Sequence, residues 1–212
     1  MSTRDPHPAV ERNLVLIGGR GCGKTSVAKR LARENRNFQL FSVDALIRYE
    51  SDGMTIPDLV EMEGWSEFRE REYAVVEKLS NFRSGALLDC GGGVVVDLDA
   101  GGNEVFSKRK VEALRLHGRV AYLRRDPQKL MEKISGDSNR PELSNTRSFL
   151  ELMERRDPWY RAAADFVLDC DPLSKREITQ RILTWFLAEQ ELQPATRESR
   201  RLASEPRGEV SQ

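Results

Sequence analysis

The residues best suited to chemistry lie near the N-terminus, in the segment Gly-Gly-Arg-Gly-Cys-Gly-Lys-Thr at positions 18–25. The segment has the G-x-x-x-x-G-K-T spacing of a phosphate-binding loop and follows a short apolar stretch. Gly18 and Gly23 permit turns that a Cβ would oppose, so successive N–H groups can point inward at an anion. Lys24 would place a cation on the β- and γ-phosphates, and the Thr25 hydroxyl would bind Mg²⁺. The sequence therefore predicts a nucleoside triphosphate site.

Two other interpretations of this glycine-rich segment are less consistent with the sequence than a phosphate-binding loop. A dinucleotide fold is disfavoured, because Lys24 and Ser26 interrupt every G-x-G-x-x-G register. A glycine turn with a surface lysine explains neither the preceding apolar strand nor the following helical pattern. The Cys22 thiol, placed inside the loop, is expected to be protected from alkylation by ATP. The predicted ATP-binding residues of the loop are Gly21, Cys22, Gly23, Lys24, Thr25 and Ser26.

Composition narrows the class of protein. The 212 residues carry 34 Lys plus Arg and 34 Asp plus Glu, so the formal net charge is zero, which disfavours a nucleic-acid partner. No apolar run approaches the ~20 residues of a membrane span, and no targeting leader is evident. The three cysteines are odd in number and far apart, which favours a reducing cytoplasm and argues against a zinc site. We expect a cytoplasmic protein, a monomer with a small-molecule substrate and neither a nucleic-acid nor a membrane partner.

Strands alternate with helices along the chain, which indicates an α/β domain with a parallel, doubly wound sheet. Predicted strands cover residues 13–17, 38–43, 86–88, 120–123 and 166–168. Predicted helices cover residues 24–34, 45–50, 56–61, 65–81, 107–117, 126–134, 147–156 and 175–188, the seventh ending before Pro158.

The domain organisation follows from the same pattern. One domain is predicted over residues 13–188, after a flexible leader at 1–12. A polar, glycine-containing segment at about 135–146 reads as a mobile loop. The tail at 189–212 is rich in Pro, Ser, Arg and Glu and is predicted to be disordered. The glycine-rich stretch at 97–106 is interpreted as a surface insertion.

Polar residues at strand ends suggest how a phosphoryl acceptor would be held. Asp44 follows the second predicted strand and could orient an acceptor hydroxyl and take its proton. Alternatively, Asp44 could cap a helix beginning at Ala45. Arg69 lies three residues before Glu72, a spacing that by itself indicates only an ion pair on one helix face.

Four further motifs follow the phosphate loop in a fixed order, and with it they resemble the shikimate kinase family over about residues 13–187. They are Phe68-Arg69-x-x-Glu72, Gly91-Gly92-Gly93, Arg140-Pro141-x-Leu143 and Arg156-x-Pro158-x-Tyr160. The resemblance implies a single-domain P-loop kinase with a five-stranded parallel sheet of order 2-3-1-4-5, flanked by helices, and a closing lid. It implies transfer of the γ-phosphoryl group of ATP to the 3-hydroxyl of shikimate, with Mg²⁺.

The resemblance also implies roles for individual residues. Asp44 would position the shikimate hydroxyls and act as base, and Arg69 and Arg156 would clamp the carboxylate. The glycines Gly91, Gly92 and Gly93 would approach the ring hydroxyls. Arg140 would be the lid arginine that reaches the ATP phosphates, joining Asp44 and Lys24 as a catalytic residue.

One position departs from the family pattern, and the sequence therefore does not decide which carboxylate would hold the magnesium. The family usually carries Asp-x-Asp at the end of strand two, whereas this chain has Ser42-Val43-Asp44. Asp89, at the end of the third strand, could replace the missing carboxylate at the magnesium beside Thr25. Equally, Asp89 could bond N–H groups of the glycine turn.

Two groups of alternative functions remain open at this stage. One is a kinase of the same fold for gluconate or a nucleoside monophosphate. The other is a non-catalytic, nucleotide-binding regulator, which the loss of the first carboxylate at Ser42 would favour.

Overall fold

A parallel five-stranded sheet organises the chain in a computed structural model that describes residues 10–134 and 149–191. The strands of the described ranges are β1 (Asn13–Ile17), β2 (Gln39–Ser42), β3 (Ala86–Asp89), β4 (Val96–Leu98), β5 (Glu104–Phe106), β6 (Gly118–Arg124) and β7 (Phe166–Asp169). The helices are α1 (Lys24–Glu34), α2 (Val43–Glu50), α3 (Ile56–Ser80), α4 (Lys108–His117), α5 (Pro127–Ile134), α6 (Phe149–Ala163) and α7 (Lys175–Glu191).

The central sheet has the strand order β2-β3-β1-β6-β7 with all pairings parallel. When its five strands are counted by themselves, this is the predicted order 2-3-1-4-5. Strands β1 and β3 are buried along their whole length, as expected for short apolar runs covered on both faces. Since the strands are parallel, their carboxyl ends meet at one edge of the sheet, where the site is built.

Helix α3 joins the helical segments predicted at 56–61 and 65–81 and ends at Ser80, and Gly64 lies between the two segments. Gly64 has a φ of 82° and a ψ of 168°, so the helix bends sharply between residues 63 and 65. The second half then turns its apolar side to the core and carries Arg69 and Glu72 on its buried side.

The prediction that a helix ends before Pro158 is wrong, because α6 runs through the proline to Ala163. A proline inside a helix costs about 3 kcal/mol. Contacts on both sides of Pro158 oppose that cost. Tyr122 donates a hydrogen bond of 2.8 Å to Asp157, and the buried Tyr160 hydroxyl donates to the Gly92 carbonyl.

Residues 97–106 are not a plain surface insertion but part of a two-stranded antiparallel hairpin formed by β4 and β5. Asp99 makes the turn by accepting backbone hydrogen bonds from Gly101 and Asn103 at 2.9 and 2.8 Å. Asp97 anchors the hairpin to α4 by pairing with Arg109 and Lys110. These bonds, together with one from Ser107, hold the pKa of Asp97 at about 2 although its partial burial opposes the charge.

Several predicted segments lie partly or wholly outside the described residues. Residues 1–9 of the leader, the segment at 135–146 with Arg140, and residues 192–212 of the tail are among them. Helix α7 continues to Glu191, past the predicted end at residue 188. Within the described ranges, no helix combines the length and apolarity needed to cross a membrane.

Candidate active site

Two adjoining hollows open at the carboxyl edge of the sheet. The first, which we call the phosphate hollow, has a volume of about 720 Å³ and is lined by Gly21, Gly23, Lys24, Thr25, Ser26, Ser42 and Asp89 among others. The second, which we call the arginine cleft, has a volume of about 540 Å³ and is lined by Trp65, Phe68, Arg69, Glu72, Met153 and Arg156 among others. Arg20, Asp44 and Gly92 line both hollows and so mark the boundary between them.

The phosphate loop has the backbone that its glycines predict. Gly18 has a φ of 141°, and a Cβ there would lie 2.6 Å from the Leu123 carbonyl oxygen. Gly23 is the N-cap of α1 with a φ of 102°. Both positions therefore exclude a larger residue, and the loop leads into the N-terminus of α1, where N–H groups favour an anion.

Lys24 is buried at the base of this loop. Its ammonium donates hydrogen bonds to the Gly18 and Gly19 carbonyl oxygens at 2.8 and 3.1 Å. Burial disfavours its charge, but the electrostatic interactions with Cys22 and Tyr160, and then with Asp89 and Asp44, outweigh burial and raise the pKa of Lys24 above its ordinary value. Lys24 therefore stays a cation beside the phosphate hollow through the neutral and mildly alkaline range.

Cys22 differs from the other predicted nucleotide contacts. Its thiol is buried and lies 3.7 Å from the Lys24 ammonium, and its N–H donates to the Gly19 carbonyl oxygen. Cys22 does not line the phosphate hollow. Because the thiol is already shielded by the protein, the expected protection by ATP would have little to act on.

The three consecutive glycines make room for three different neighbours. A Cβ on Gly91 would lie 2.5 Å from an Asp44 carboxylate oxygen, and one on Gly92 would lie 3.1 Å from the Arg20 backbone nitrogen. A Cβ on Gly93 would collide with the Arg69 guanidinium. The glycine turn therefore lets the Asp44 and Arg69 side chains lie directly against the backbone of the cleft.

Asp44 itself is not the N-cap of its helix. Helix α2 begins at Val43, and the Ser42 hydroxyl accepts the capping hydrogen bond from the Ala45 N–H at 3.4 Å. Asp44 lies in the first turn, where a carboxylate is favoured by the helix dipole. The capping alternative is thus excluded, and the carboxylate is directed to the boundary of the two hollows.

Arg69 is held by a buried chain of charges. Its guanidinium donates to Glu72 at 2.9 Å, and Glu72 also accepts from the Lys110 ammonium at 2.9 Å. Burial opposes the charge of Glu72, but Lys110 and Arg69 outweigh it and hold the pKa of Glu72 below its ordinary value. The Arg69 guanidinium also stacks 5.3 Å from the ring centres of Trp65 and Phe68.

Arg156 reaches the same cleft from α6. Its side chain is 2% exposed and pairs with Glu104 of the β4–β5 hairpin. Burial opposes the charge of Glu104, but the hydrogen bonds and charges of Arg156 and Arg155 outweigh burial and lower the pKa of Glu104. The carboxylate therefore remains ionised. The structure therefore brings Arg69 and Arg156 together in one cleft, as the sequence predicts, although α3 and α6 are far apart along the chain.

Asp89 lies beside Ser42, because these two residues are register partners of β3 and β2. Both line the phosphate hollow with Thr25. The glycine turn is closed by its own backbone, with the Val94 and Val96 N–H groups donating to the Gly91 and Gly93 carbonyl oxygens at 3.3 and 2.9 Å, and the alternative that Asp89 caps it stays a prediction. Among the described residues no group of three or more His, Cys, Asp or Glu could hold a metal by itself.

Sequence reasoning missed several residues of the site. Arg20 occupies a variable position of the loop motif, and Lys110 and Glu104 belong to no motif. Trp65 lines the cleft, whereas Trp159, next to Pro158 in α6, packs against the hydrophobic core. The only available signal for Glu104 was its position in a stretch that interrupts the strand and helix pattern.

This fold and site define a class of protein. A phosphate loop on the central strand of a parallel sheet, facing a small cleft with two buried guanidinium groups, is the arrangement of a P-loop kinase for a small molecule. The family profile described as shikimate kinase matches residues 20–187. The chain belongs to the shikimate kinase family.

Individual relatives agree with the family match. A shikimate kinase of Leptospira biflexa is 44% identical over 173 residues, covering 82% of this chain and 94% of that protein. A shikimate kinase of Leptospira borgpetersenii is 39% identical and is covered to 97%. The solved structure of a shikimate kinase from Acinetobacter baumannii in complex with shikimate superimposes with a TM-score of 0.71 at 28% identity, covering 84% of this chain and 94% of that one.

A gluconokinase from Sinorhizobium meliloti also superimposes, with a TM-score of 0.53 at 18% identity. At that identity the likeness shows a shared fold and carries no argument about the substrate.

Proposed function

We propose that this protein transfers the γ-phosphoryl group of ATP to the 3-hydroxyl of shikimate, giving shikimate 3-phosphate and ADP. The observation that carries the proposal is that Arg69 and Arg156 line one cleft, which shares Asp44 with the phosphate hollow. A cyclic acid held by its carboxylate in this cleft would present a hydroxyl at the boundary of the two hollows. The family relationship supports the same substrate.

The acceptor would be held by its carboxylate and its hydroxyls. A planar guanidinium binds a carboxylate through two parallel hydrogen bonds, which fixes orientation as well as position. The turn at Gly92 would approach the ring closely, because no side chain separates its backbone from the cleft. Trp65 and Phe68 provide an apolar wall beside the cations.

The transfer step would depend on charge and position more than on covalent chemistry. Asp44 would accept the proton of the acceptor hydroxyl as the new O–P bond forms. Lys24 would stabilise the negative charge on the β- and γ-phosphate oxygens. Arg140 lies outside the described residues, and its role on the phosphates stays a prediction from the resemblance.

Mg²⁺ fits the oxygen ligands that line the phosphate hollow. Thr25 offers a hydroxyl and Asp89 a carboxylate, and Mg²⁺ prefers one or two such ligands together with water and substrate phosphates. When bound, the ion would neutralise the phosphate charge. We propose that Asp89 supplies the carboxylate that Ser42 cannot, because the two residues are neighbours across β2 and β3.

Replacing Asp89 with asparagine is expected to raise the Mg²⁺ concentration for half-maximal rate by about 10- to 100-fold, as the loss of a metal-orienting carboxylate does elsewhere. The measurement is the rate at saturating shikimate and ATP over a titration of Mg²⁺. Asp169→Asn is the matched control, because Asp169 ends β7 at the same sheet edge but lines neither hollow. An unchanged Mg²⁺ dependence in Asp89→Asn would reject the replacement.

Replacing Arg69 with lysine is expected to raise the KM for shikimate at least about 10-fold, with the KM for ATP nearly unchanged, because lysine keeps the charge near Glu72 but loses the planar fork. Initial rates over both substrates measure the two constants. Arg71→Lys serves as control, since Arg71 lies on the same helix and pairs with Glu63 at the surface. Equal effects on both substrates would contradict the assignment of Arg69 to the acceptor.

The proposed activity is tested by measuring ADP release from ATP with shikimate, with and without Mg²⁺. Gluconate, AMP and CMP are tested in parallel, and the product is identified by its phosphorylated position. Shikimate-dependent ADP release would dismiss a non-catalytic regulator, and turnover only with another acceptor would replace the proposed substrate. A monomeric state and a cytoplasmic location stay predictions from the sequence.

A further inference from the structure

The β4–β5 hairpin brings a carboxylate to the edge of the arginine cleft. It lies between the glycine turn and α4, and its first strand is fastened to α4 by the ion pairs of Asp97. Lys110 adds a hydrogen bond to the Val96 carbonyl oxygen. The hairpin is therefore a fixed part of the domain, and Glu104 on its second strand has a defined position.

Glu104 holds one edge of the Arg156 guanidinium. One carboxylate oxygen accepts from the Arg156 Nε at 3.1 Å and the other accepts from Nη2. The Arg155 Nη2 also donates to the first of these oxygens, at 2.6 Å. One carboxylate thus stands between two neighbouring arginines and offsets the repulsion between their charges.

The opposite end of the same guanidinium is also held. Its Nη1 donates to the Gly92 carbonyl oxygen at 3.4 Å, and that oxygen accepts from the Tyr160 hydroxyl as well. A guanidinium has five N–H donors. These contacts use three of those on Arg156, and the guanidinium also makes a side-chain hydrogen bond with the Tyr160 hydroxyl. The remaining N–H is available to groups in and around the cleft, which Arg156 lines.

We propose that Glu104 is a positioning residue, which fixes the Arg156 guanidinium in the orientation that meets the carboxylate of the acceptor. This inference rests on the proposed binding of shikimate by Arg156. An arginine side chain has many rotamers, and holding it in one of them before the acceptor binds lowers the entropy lost on binding. Glu104 acts through Arg156 and does not touch the acceptor.

A competing interpretation is that Glu104 blocks the site by occupying the guanidinium in place of the acceptor. The residues that line the cleft favour the interpretation that Glu104 positions Arg156, because Arg156 lines the cleft whereas Glu104 does not. Glu104 reaches the guanidinium from outside the space where the acceptor would lie. The acceptor can therefore bind without displacing it.

The two interpretations predict opposite changes in the variant Glu104→Gln. Positioning predicts that the KM for shikimate rises about 10-fold, while kcat and the KM for ATP change less than about 2-fold, because a misplaced binding group weakens one substrate only. A blocking role predicts a lower KM for shikimate. An unchanged KM would overturn the proposal as well.

Two further variants separate positioning from a general loss of structure. Glu34→Gln removes a pair between a glutamate and an arginine, Arg30, on the surface of α1, where neither residue lines a hollow, and should leave all constants unchanged. In an Arg156→Lys background, Glu104→Gln should add less than about a 2-fold change, since residues that act through one another are not additive. Additive effects would overturn the proposal.

Folding and substrate are checked in the same series. Thermal unfolding is measured for every variant, and Glu104→Asp, which keeps the charge on a shorter side chain, replaces Glu104→Gln if that variant does not fold. Its KM for shikimate should rise by less than about 10-fold, with the KM for ATP nearly unchanged, because the shorter side chain keeps the charge but misplaces it. If the unaltered protein does not turn over shikimate, the proposed function and this inference fail together. If it does and Glu104→Gln matches it, only this inference fails.

Discussion

Replacing Asp44 with asparagine is expected to lower kcat about 10³-fold, within the 10²- to 10⁴-fold range for loss of a general base. Asparagine has the same shape but cannot accept the proton of the acceptor hydroxyl. Asp44 lies at the boundary of the phosphate hollow and the arginine cleft, against Gly91, where that hydroxyl would meet the γ-phosphoryl group. The KM for ATP should change little, because in the proposed mechanism Lys24 and the loop backbone, and not Asp44, would hold the nucleotide.

The measurement is initial rate over both substrates, together with thermal unfolding. Asp58→Asn is a matched control, because Asp58 is also an acidic residue in the first turn of a helix but lines neither hollow. A decrease in kcat of less than about 10-fold would contradict the role of Asp44 as base, because loss of a general base lowers the rate by about 10²-fold or more. Loss of thermal stability in Asp44→Asn alone would indicate a structural contribution instead.

Replacing Lys24 with methionine is expected to lower kcat by about 10³-fold, because loss of one preorganised donor at a developing charge costs 10²- to 10³-fold and the full cation is lost here. Methionine has a similar length and no charge. Lys24 is buried and bonded to the Gly18 and Gly19 carbonyl oxygens, so its ammonium is already fixed beside the phosphate hollow. Because the pKa of Lys24 is raised, the unaltered protein should lose no activity from its deprotonation at mildly alkaline pH.

The comparison for Lys24→Met is Lys29→Met, an exposed lysine on the same helix α1. Binding of a fluorescent ATP analogue is measured beside kcat. We expect weaker nucleotide binding and a larger decrease in kcat, since the charge on the phosphates grows during transfer. Equal rates in Lys24→Met and the unaltered protein would exclude the proposed role.

The sequence predicted the phosphate loop and the alternation of strands and helices correctly because the signals for both are local, whereas the order of the central strands came from the family resemblance. The loop motif specifies its own backbone through glycines at fixed positions. The apolar strands and amphipathic helices follow one another in a regular alternation. Asp44 was found through its position after a strand, and Arg69 and Arg156 through the motifs of the resemblance. All three line the arginine cleft.

The path of the chain through α6 and the hairpin could not be predicted in this way. Pro158 argued for a helix end, yet contacts of Asp157 and Tyr160 on either side of it hold the helix. The stretch at 97–106 looked like an insertion, because the partners of Asp97 and Glu104 lie elsewhere in the chain.

The sequence by itself identified the groups on which the proposed chemistry rests: a phosphate-binding loop, the carboxylate proposed as base and two arginines. Only the tertiary structure decided how these groups are held. It placed Asp89 beside Ser42, Lys110 on Glu72 behind Arg69, and Glu104 on Arg156. The physical reason is that a loop motif is encoded by adjacent residues, whereas an ion pair between distant segments depends on strand register and helix packing, which no local pattern specifies.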